Sequence, residues 1–173
     1  MSEMNIRPLE RADREWVAHF LDDRWGTTTI VSRGKMRYGH LLEGLIAVRA
    51  EENKASSDNN DTLPERIGLL TIEYDAQECE ILTLDSLVEG MGIGSALLDA
   101  LEERAREAGL TRLWLVTTND NLASLRFWQK RGYELVAVHR NAIAAARRIK
   151  PQIPITGRHG IPIRDEIELE KRL

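Results

Sequence analysis

Leu82-Thr-Leu-Asp-Ser-Leu-Val-Glu-Gly-Met-Gly-Ile-Gly94 is the stretch from which the rest of the chain is read. It opens as an apolar strand and ends in three glycines within five positions: Gly90, Gly92 and Gly94. Directly behind them Ile93, Ala96, Leu97, Leu101, Ala105 and Ala108 share one face of a helix, while Asp99, Glu102, Glu103 and Arg106 point away. A glycine turn lets backbone N–H groups approach a ligand, and the helix adds its free N–H groups and positive dipole end. Together these suit a phosphate or pyrophosphate. A tight strand-to-helix turn without a ligand reads from the same residues. A Walker loop needs Lys and then Ser or Thr after its last glycine, where this chain has Ser95-Ala96. The dinucleotide fingerprint needs Gly or Ala where Ser95 stands.

Outward from this stretch, the period of the apolar residues predicts the other elements. Strands are expected at 6–9, 27–31, 45–49, 66–74, 79–84, 113–116, 133–138 and 163–170. Helices are expected at 13–21, with Asp13 as its cap, at 122–131 after an Asn119-Asp120-Asn121 cap, and at 142–148. Gly109 and Gly132 are placed to stop the two central helices. Residues 32–40 are rich in basic and turn residues, and the polar run 51–65 reads as an exposed, mobile hairpin loop. The order predicts an α/β arrangement on a mixed sheet, in one domain spanning 1–173.

Composition narrows the function classes. Of 173 residues 42% are hydrophobic and 30% charged, a globular balance. Twenty-four Lys and Arg against 28 Asp and Glu leave a formal charge of −4, which argues against non-specific nucleic-acid binding. Cys79 is the single cysteine, so neither an internal disulfide nor a cysteine zinc site can form. The four histidines are scattered, so no metal site is expected. The polar N-terminus offers no signal-peptide core, and no run of about 18 apolar residues offers a membrane span. The expectation is a cytoplasmic protein, monomeric or homodimeric, that binds neither membrane nor nucleic acid.

The run from Leu82 to Gly94, followed by Leu97-Leu98, resembles the acetyl-coenzyme A motif of the GNAT superfamily of N-acetyltransferases: an apolar strand leading into Arg/Gln-x-x-Gly-x-Gly/Ala. A second match follows in register. Asn121-Leu-Ala-Ser124-Leu-Arg-Phe127-Trp128-Gln-Lys130-Arg-Gly132-Tyr133 is similar to that family's Asn-x-x-Ala-x-x-Leu-Tyr-x-Lys-x-Gly-Phe. The opening Ile6-Arg7-Pro8-Leu9 with Asp13 also looks like the usual start, so the resemblance covers about residues 6–138. It implies a mixed, mostly antiparallel sheet flanked by helices, with the fourth and fifth strands splayed around the pantetheine arm of acetyl-CoA. It also implies acetyl transfer to a primary amine, on a small molecule or a peptide. Direct attack in a ternary complex is expected over an acyl-enzyme, because Cys79 sits on a strand with no evident base. An acyl-CoA sensor or interaction module without catalysis is the alternative on the same fold.

Carried over residue by residue, the resemblance makes Glu89, Gly90, Met91, Gly92, Ile93, Gly94 and Ser95 the phosphate loop, with the amides of Met91, Gly92, Gly94 and Ser95 on the pyrophosphate. Leu82 and Leu84 would offer main-chain groups to the pantetheine, and Asn121 and Ser124 would sit beside the pantetheine or its thiol end. The chain departs from the pattern twice. Glu89 stands where the family has Arg or Gln, and a carboxylate does not donate to phosphate, so it turns to solvent or caps the helix. Trp128 stands where the family commonly has the Tyr that protonates the leaving thiolate, and an indole N–H is not a usable acid. A thiol with a reference pKa of roughly 8.5 leaves fairly well unaided. The harder need is a neutral amine, and Glu78 and Glu80, sharing one strand face, are the candidates to take its proton, Glu78 being the better positional match. In the family, the region around Arg33-Gly-Lys35-Met-Arg37-Tyr38 lines the acceptor site, so Arg33, Arg37 and Tyr38 are candidates to bind a carboxylate or phosphate of the acceptor, a solvated loop being the plainer reading. Residues 141–162 are longer than the family's usual hairpin and read as an insertion that shapes the acceptor site or a subunit interface, with Arg147, Arg148, Lys150 and Arg158 as its basic face.

Overall fold

A computed structural model describes residues 4–49 and 64–173. The polar run expected to form a mobile loop lies, from 51 to 63, outside the described residues. The chain runs β1 (Met4–Pro8), α1 (Arg14–Trp25), β2 (Thr29–Ser32), β3 (Lys35–Tyr38), β4 (Glu43–Arg49), β5 (Glu65–Asp75), β6 (Glu78–Ser86), α2 (Ile93–Glu107), β7 (Arg112–Thr118), α3 (Leu122–Lys130), β8 (Glu134–His139), α4 (Ala142–Ile149) and β9 (Glu166–Arg172). Seven strands form one sheet in the order β1-β4-β5-β6-β7-β9-β8, and β2 and β3 form a separate hairpin. Every neighbouring pair of the large sheet is antiparallel except β6 and β7.

That parallel pair is where the sheet opens. β6 and β7 match only at Glu78–Arg112, Cys79–Leu113 and Glu80–Trp114. β7 then continues against β9 as far as Thr118, and β6 continues against β5 as far as Ser86. Between their far halves lies a wedge-shaped gap whose narrow end is at Glu80. A bulge sharpens the divergence: Ile72 faces Ile81 and Thr71 faces Thr83, which leaves Leu82 without an opposite number. An extra residue on one strand bends it and increases its twist.

Alternation along the strands sends one set of side chains to each face. Leu45, Ala47, Leu70, Ile72, Cys79 and Ile81 pack against Ile93, Leu97, Leu98, Leu101 and Ala105 of α2 and against Trp128 of α3. Burying side chains of this size stabilises by roughly 1.5–3 kcal/mol each, which fixes α2 with its N-terminus at the wide end of the gap. On the opposite face α1 sets Val17 and Leu21 against Leu69. Asp13 precedes α1 but does not cap it. Its carboxylate accepts from Arg7 at 2.6 and 2.9 Å, from Arg66 at 3.1 Å and from the Glu10 amide at 3.0 Å, so it ties β1 and β5 to the start of the helix instead. The last strand begins at Glu166, three residues later than the sequence period suggests, because residues 155–163 fold back on themselves through Ile163 N–H to Ile155 O and Gly157 N–H to Ile161 O.

Candidate active site

The glycine loop leaves β6 and enters α2 with Gly90 and Gly92 at φ of +76° and +68°, a conformation that side-chain-bearing residues avoid. Among the described residues, and apart from the immediate chain neighbours, no atom lies within 4 Å of where a Cβ would stand on either glycine. The first helical bond of α2 runs from the Ala96 amide to the Gly92 carbonyl, and among the described residues no side chain caps the helix. The amides of Ile93, Gly94 and Ser95 therefore have no carbonyl within the helix, which is the arrangement that accepts an anion. Glu89 and Met91 are both exposed. The residues present fit the nucleotide portion of a CoA ester: a backbone cradle, a helix N-terminus and, beside them, the gap between β6 and β7.

The gap's two walls carry the other expected cofactor residues. Leu82, at the bulge, and Leu84, opposite Leu70, lie on the half of β6 that pairs with β5 but not with β7. Asn121 stands just beyond the end of β7 and caps α3, its side chain accepting from the Ser124 amide at 3.3 Å. The structure thus brings the glycine loop, Leu82, Leu84, Asn121 and Ser124 around one opening. Trp128 packs into the core, 5% exposed, edge-on to Phe127 and Tyr133 at 5.2 and 4.9 Å.

Glu78 and Glu80 share a face, as alternation requires, but have different surroundings. Glu78 is at the paired end of β6 and is held by Arg112 at 2.8 Å, which also grips Glu168 at 2.6 Å and Glu170. Glu80 marks the narrow end of the gap and is 3% exposed. It accepts from the Ser32 hydroxyl and, at 2.7 Å, from Arg37. Burial pushes its pKa above the usual carboxylate range, and the bonds from Ser32 and the nearby Arg37 oppose the shift only in part. Cys79, between the two glutamates, faces the core, and burial raises its thiol to about 12.

The basic cluster of 33–38 is arranged differently from the sequence expectation. Arg37 turns inward from the β2–β3 hairpin and is spent on Glu80 and on Glu73, which its Nε reaches at 2.7 Å. Lys35 also pairs with Glu73, at 2.9 Å. Arg33 lies 3.4 Å from the buried Glu166, and Tyr38 is exposed beside His40. The cluster clamps the hairpin over β5 and β6, and its arginine at 37 is not free to meet an acceptor.

Residues 141–162 are likewise tied inward. Arg147 donates to the carbonyls of Ile153, Pro154 and Ile163 at 2.6–3.1 Å, and the Lys150 ammonium donates to Thr29 O at 2.9 Å. Arg148 and Arg158 are exposed, so the expected basic face is reduced to these two. Asn119 and Asp120, expected as part of the cap of α3, leave that role to Asn121 and fasten the segment instead. Asn119 accepts from the amides of Arg164 and Asp165 at 2.9 and 3.0 Å and donates to Pro162 O at 2.9 Å. The buried Asp120 accepts from the Arg158 amide at 2.9 Å. A Cβ at Gly157 would overlap the Asp120 carboxylate, so glycine is required for this approach. The hairpin β2–β3 and this segment meet at Lys150, and the hairpin reaches the narrow end of the gap through Ser32 and Arg37 on Glu80. No cluster of metal-binding type occurs among the described residues, and no helix of theirs is long and apolar enough to cross a membrane.

Comparison with known proteins resolves what this geometry belongs to. The sequence profile of the acetyltransferase (GNAT) family matches residues 43–133, from the first residue of β4 to the end of the second motif. The chain belongs to the GNAT acetyltransferase family. An uncharacterised protein of Bacillus subtilis (strain 168), YdhI, is 41% identical over 169 residues, 97% of this chain and 98% of its own length. A Bacillus subtilis acetyltransferase solved in complex with CoA shares the fold at a TM-score of 0.62 and 16% identity, covering 99% of each chain. A GNAT family acetyltransferase from Elizabethkingia anophelis, solved with acetyl-CoA bound, does so at 0.61 and 21%, covering 98% of each. This GNAT fold, its sheet splayed between β6 and β7, is the one the sequence resemblance implied.

Proposed function

We propose that this GNAT protein transfers the acetyl group of acetyl-CoA to a primary amine on a small molecule or peptide, by direct attack with both substrates bound. The observation that carries the reading is the uncapped, glycine-lined N-terminus of α2 opening onto the β6–β7 gap, with a buried carboxylate, Glu80, at the gap's narrow end. Acetyl-CoA supplies an activated thioester. The amides from Met91 to Ser95 hold its phosphates, and the free main-chain edge at Leu82 and Leu84 aligns its pantetheine arm. Glu80 takes the proton that the attacking amine must lose, and its raised pKa suits a base working nearer neutrality. Glu78, outside the gap and held by Arg112, is the weaker candidate. Cys79 supplies no thiolate at neutral pH, which favours direct transfer over an acyl-enzyme. The β2–β3 hairpin and residues 141–162 form the acceptor wall.

The test is thermal. At about 100 times its Kd, acetyl-CoA should stabilise the protein by roughly 2.7 kcal/mol and raise the Tm by about 5–10 °C. Gly92→Val should abolish that shift, because valine is strained at this φ and screens the amides. An equal shift with ATP, or none with acetyl-CoA, rejects the reading. Steady CoA release with a mixed amine panel separates transferase from sensor: binding without release across the panel assigns the chain to the sensor class.

A further inference from the structure

The phosphate loop of this chain lacks a cation of its own: position 89 is a glutamate and position 91 a methionine. The helix N-terminus offers only partial charges to a nucleotide portion that carries several full negative ones. The structure brings a guanidinium to the loop from elsewhere in the chain. Arg49 ends β4, and β4, β5 and β6 bring their Arg49, Glu65 and Ser86 ends to the same edge of the sheet, where the loop departs. Its Nη2 lies 3.5 Å from the sulphur of Met91, at the centre of the glycine run. Its Nη1 pairs at 3.0 Å with Glu65, whose side chain is 58% exposed, and its Nε is buried with no hydrogen-bond partner among the described residues.

A thioether is a weak acceptor, so Nη2 exchanges that contact for a charged oxygen at little cost. The pair with Glu65 is a surface pair of the kind worth little to the fold. A planar guanidinium whose partners are a thioether and one exposed carboxylate, beside a phosphate cradle, is placed for charge-assisted bonds to phosphate oxygens. Resting on the reading of the glycine loop as a CoA site, we propose that Arg49 is a cofactor-binding residue that contacts a phosphate of acetyl-CoA and supplies the cation absent at position 89. No motif reading finds it, because it lies 41 positions before Gly90 and is brought close only by the sheet.

The experiment measures Kd by calorimetry for CoA, 3′-dephospho-CoA and acetyl-pantetheine, with wild type, Arg49→Met and Arg49→Lys. Met keeps the stem that packs beside the loop, and the Tm of each ligand-free variant checks folding. Arg49→Met should weaken CoA binding at least about tenfold at low salt and flatten its dependence on ionic strength. Arg49→Lys should fall between the two. A loss that vanishes with 3′-dephospho-CoA assigns the contact to the 3′-phosphate, and one that persists assigns it to the pyrophosphate. Acetyl-pantetheine, which has neither group, should bind wild type and variant alike. Equal CoA affinity in wild type and Arg49→Met overturns the proposal, as does an equal loss with acetyl-pantetheine, which would be general damage. Failure of wild type to bind CoA at all is a different outcome, which rejects the site itself and this residue's role with it.

Discussion

Glu78 and Glu80 are two positions apart, share a strand face and are the same amino acid, yet their surroundings assign them different work. Arg112 holds Glu78 at the paired end of β6, whereas Glu80 sits where β6 and β7 part, buried and bonded by Ser32 and Arg37. If Glu80 takes the amine's proton, Glu80→Gln should lower kcat by about 10²-fold or more while leaving the Kd of acetyl-CoA unchanged. Glu78→Gln should change kcat by less than about tenfold, under roughly 1.4 kcal/mol in the barrier. The measurement is steady-state CoA release over a pH series, and the reverse ranking would give the role to Glu78. Trp128 poses a matching question. Its ring is fixed between Phe127 and Tyr133 in the core, which is the setting of a packing residue. Trp128→Phe should therefore cost stability, about 1–2 kcal/mol for a buried ring made smaller, and change turnover less than about tenfold. A gain in turnover with Trp128→Tyr would show instead a site built for acid assistance that this chain lacks.

At the scale of elements, the anchoring of the segment 141–162 makes it testable without removing it. Asp120 holds the Arg158 amide, and Gly157 is the only residue type that fits against that carboxylate. Gly157→Ala should push the segment off its anchor, raising the acceptor KM severalfold while the acetyl-CoA thermal shift stays intact. An unchanged KM with a lowered Tm would make the segment a structural brace alone. What was legible in the sequence divides at the same scale. The glycine loop, α2 and α3 were readable because each rests on a local signal: glycines at a turn, apolar residues at a 3.6 period, Asn121 ahead of a helix. The inward turn of Arg37, the Asp120 anchor and the Asp13 hub were not, because their partners stand tens of residues away: Glu80, Arg158 and Arg66. Charge read along a chain does not say where that charge is spent. The basic run 33–38 reads along the chain as an anion site or a solvated loop, whereas Lys35 and Arg37 are paired with Glu73 and Glu80.

Over the whole molecule, buried carboxylates set how stability follows pH, and they pull in opposite directions. Arg7, with help from the Glu10 amide and Arg66, holds Asp13 down at about 2, against a usual value near 4. A folded value below the unfolded one gives stability that is full above about pH 4 and is lost as the pH falls towards 2. For this shift the contribution is about 2 kcal/mol, and Asp13 is 1% exposed, so solvent screens little of it. Glu80 and Asp85 behave the other way, since burial raises both. Their relative stabilisation is full below the usual carboxylate pKa and is lost as the pH rises through their folded values. Asp13 thus removes stability at the acid end of the range, and Glu80 and Asp85 remove it as the pH rises. Urea unfolding from pH 8 to 2.5 checks this. Asp13→Asn should lie below wild type by about 2 kcal/mol from pH 8 to about 4, and the difference should close as the pH approaches 2. Glu80→Gln should gain on wild type as the pH rises above the carboxylate range and lose that advantage in acid. Parallel curves for wild type and Asp13→Asn across the whole range would mean that Asp13 stabilises through packing and neutral hydrogen bonds, and that the arginines at 7 and 66 do not lower its pKa.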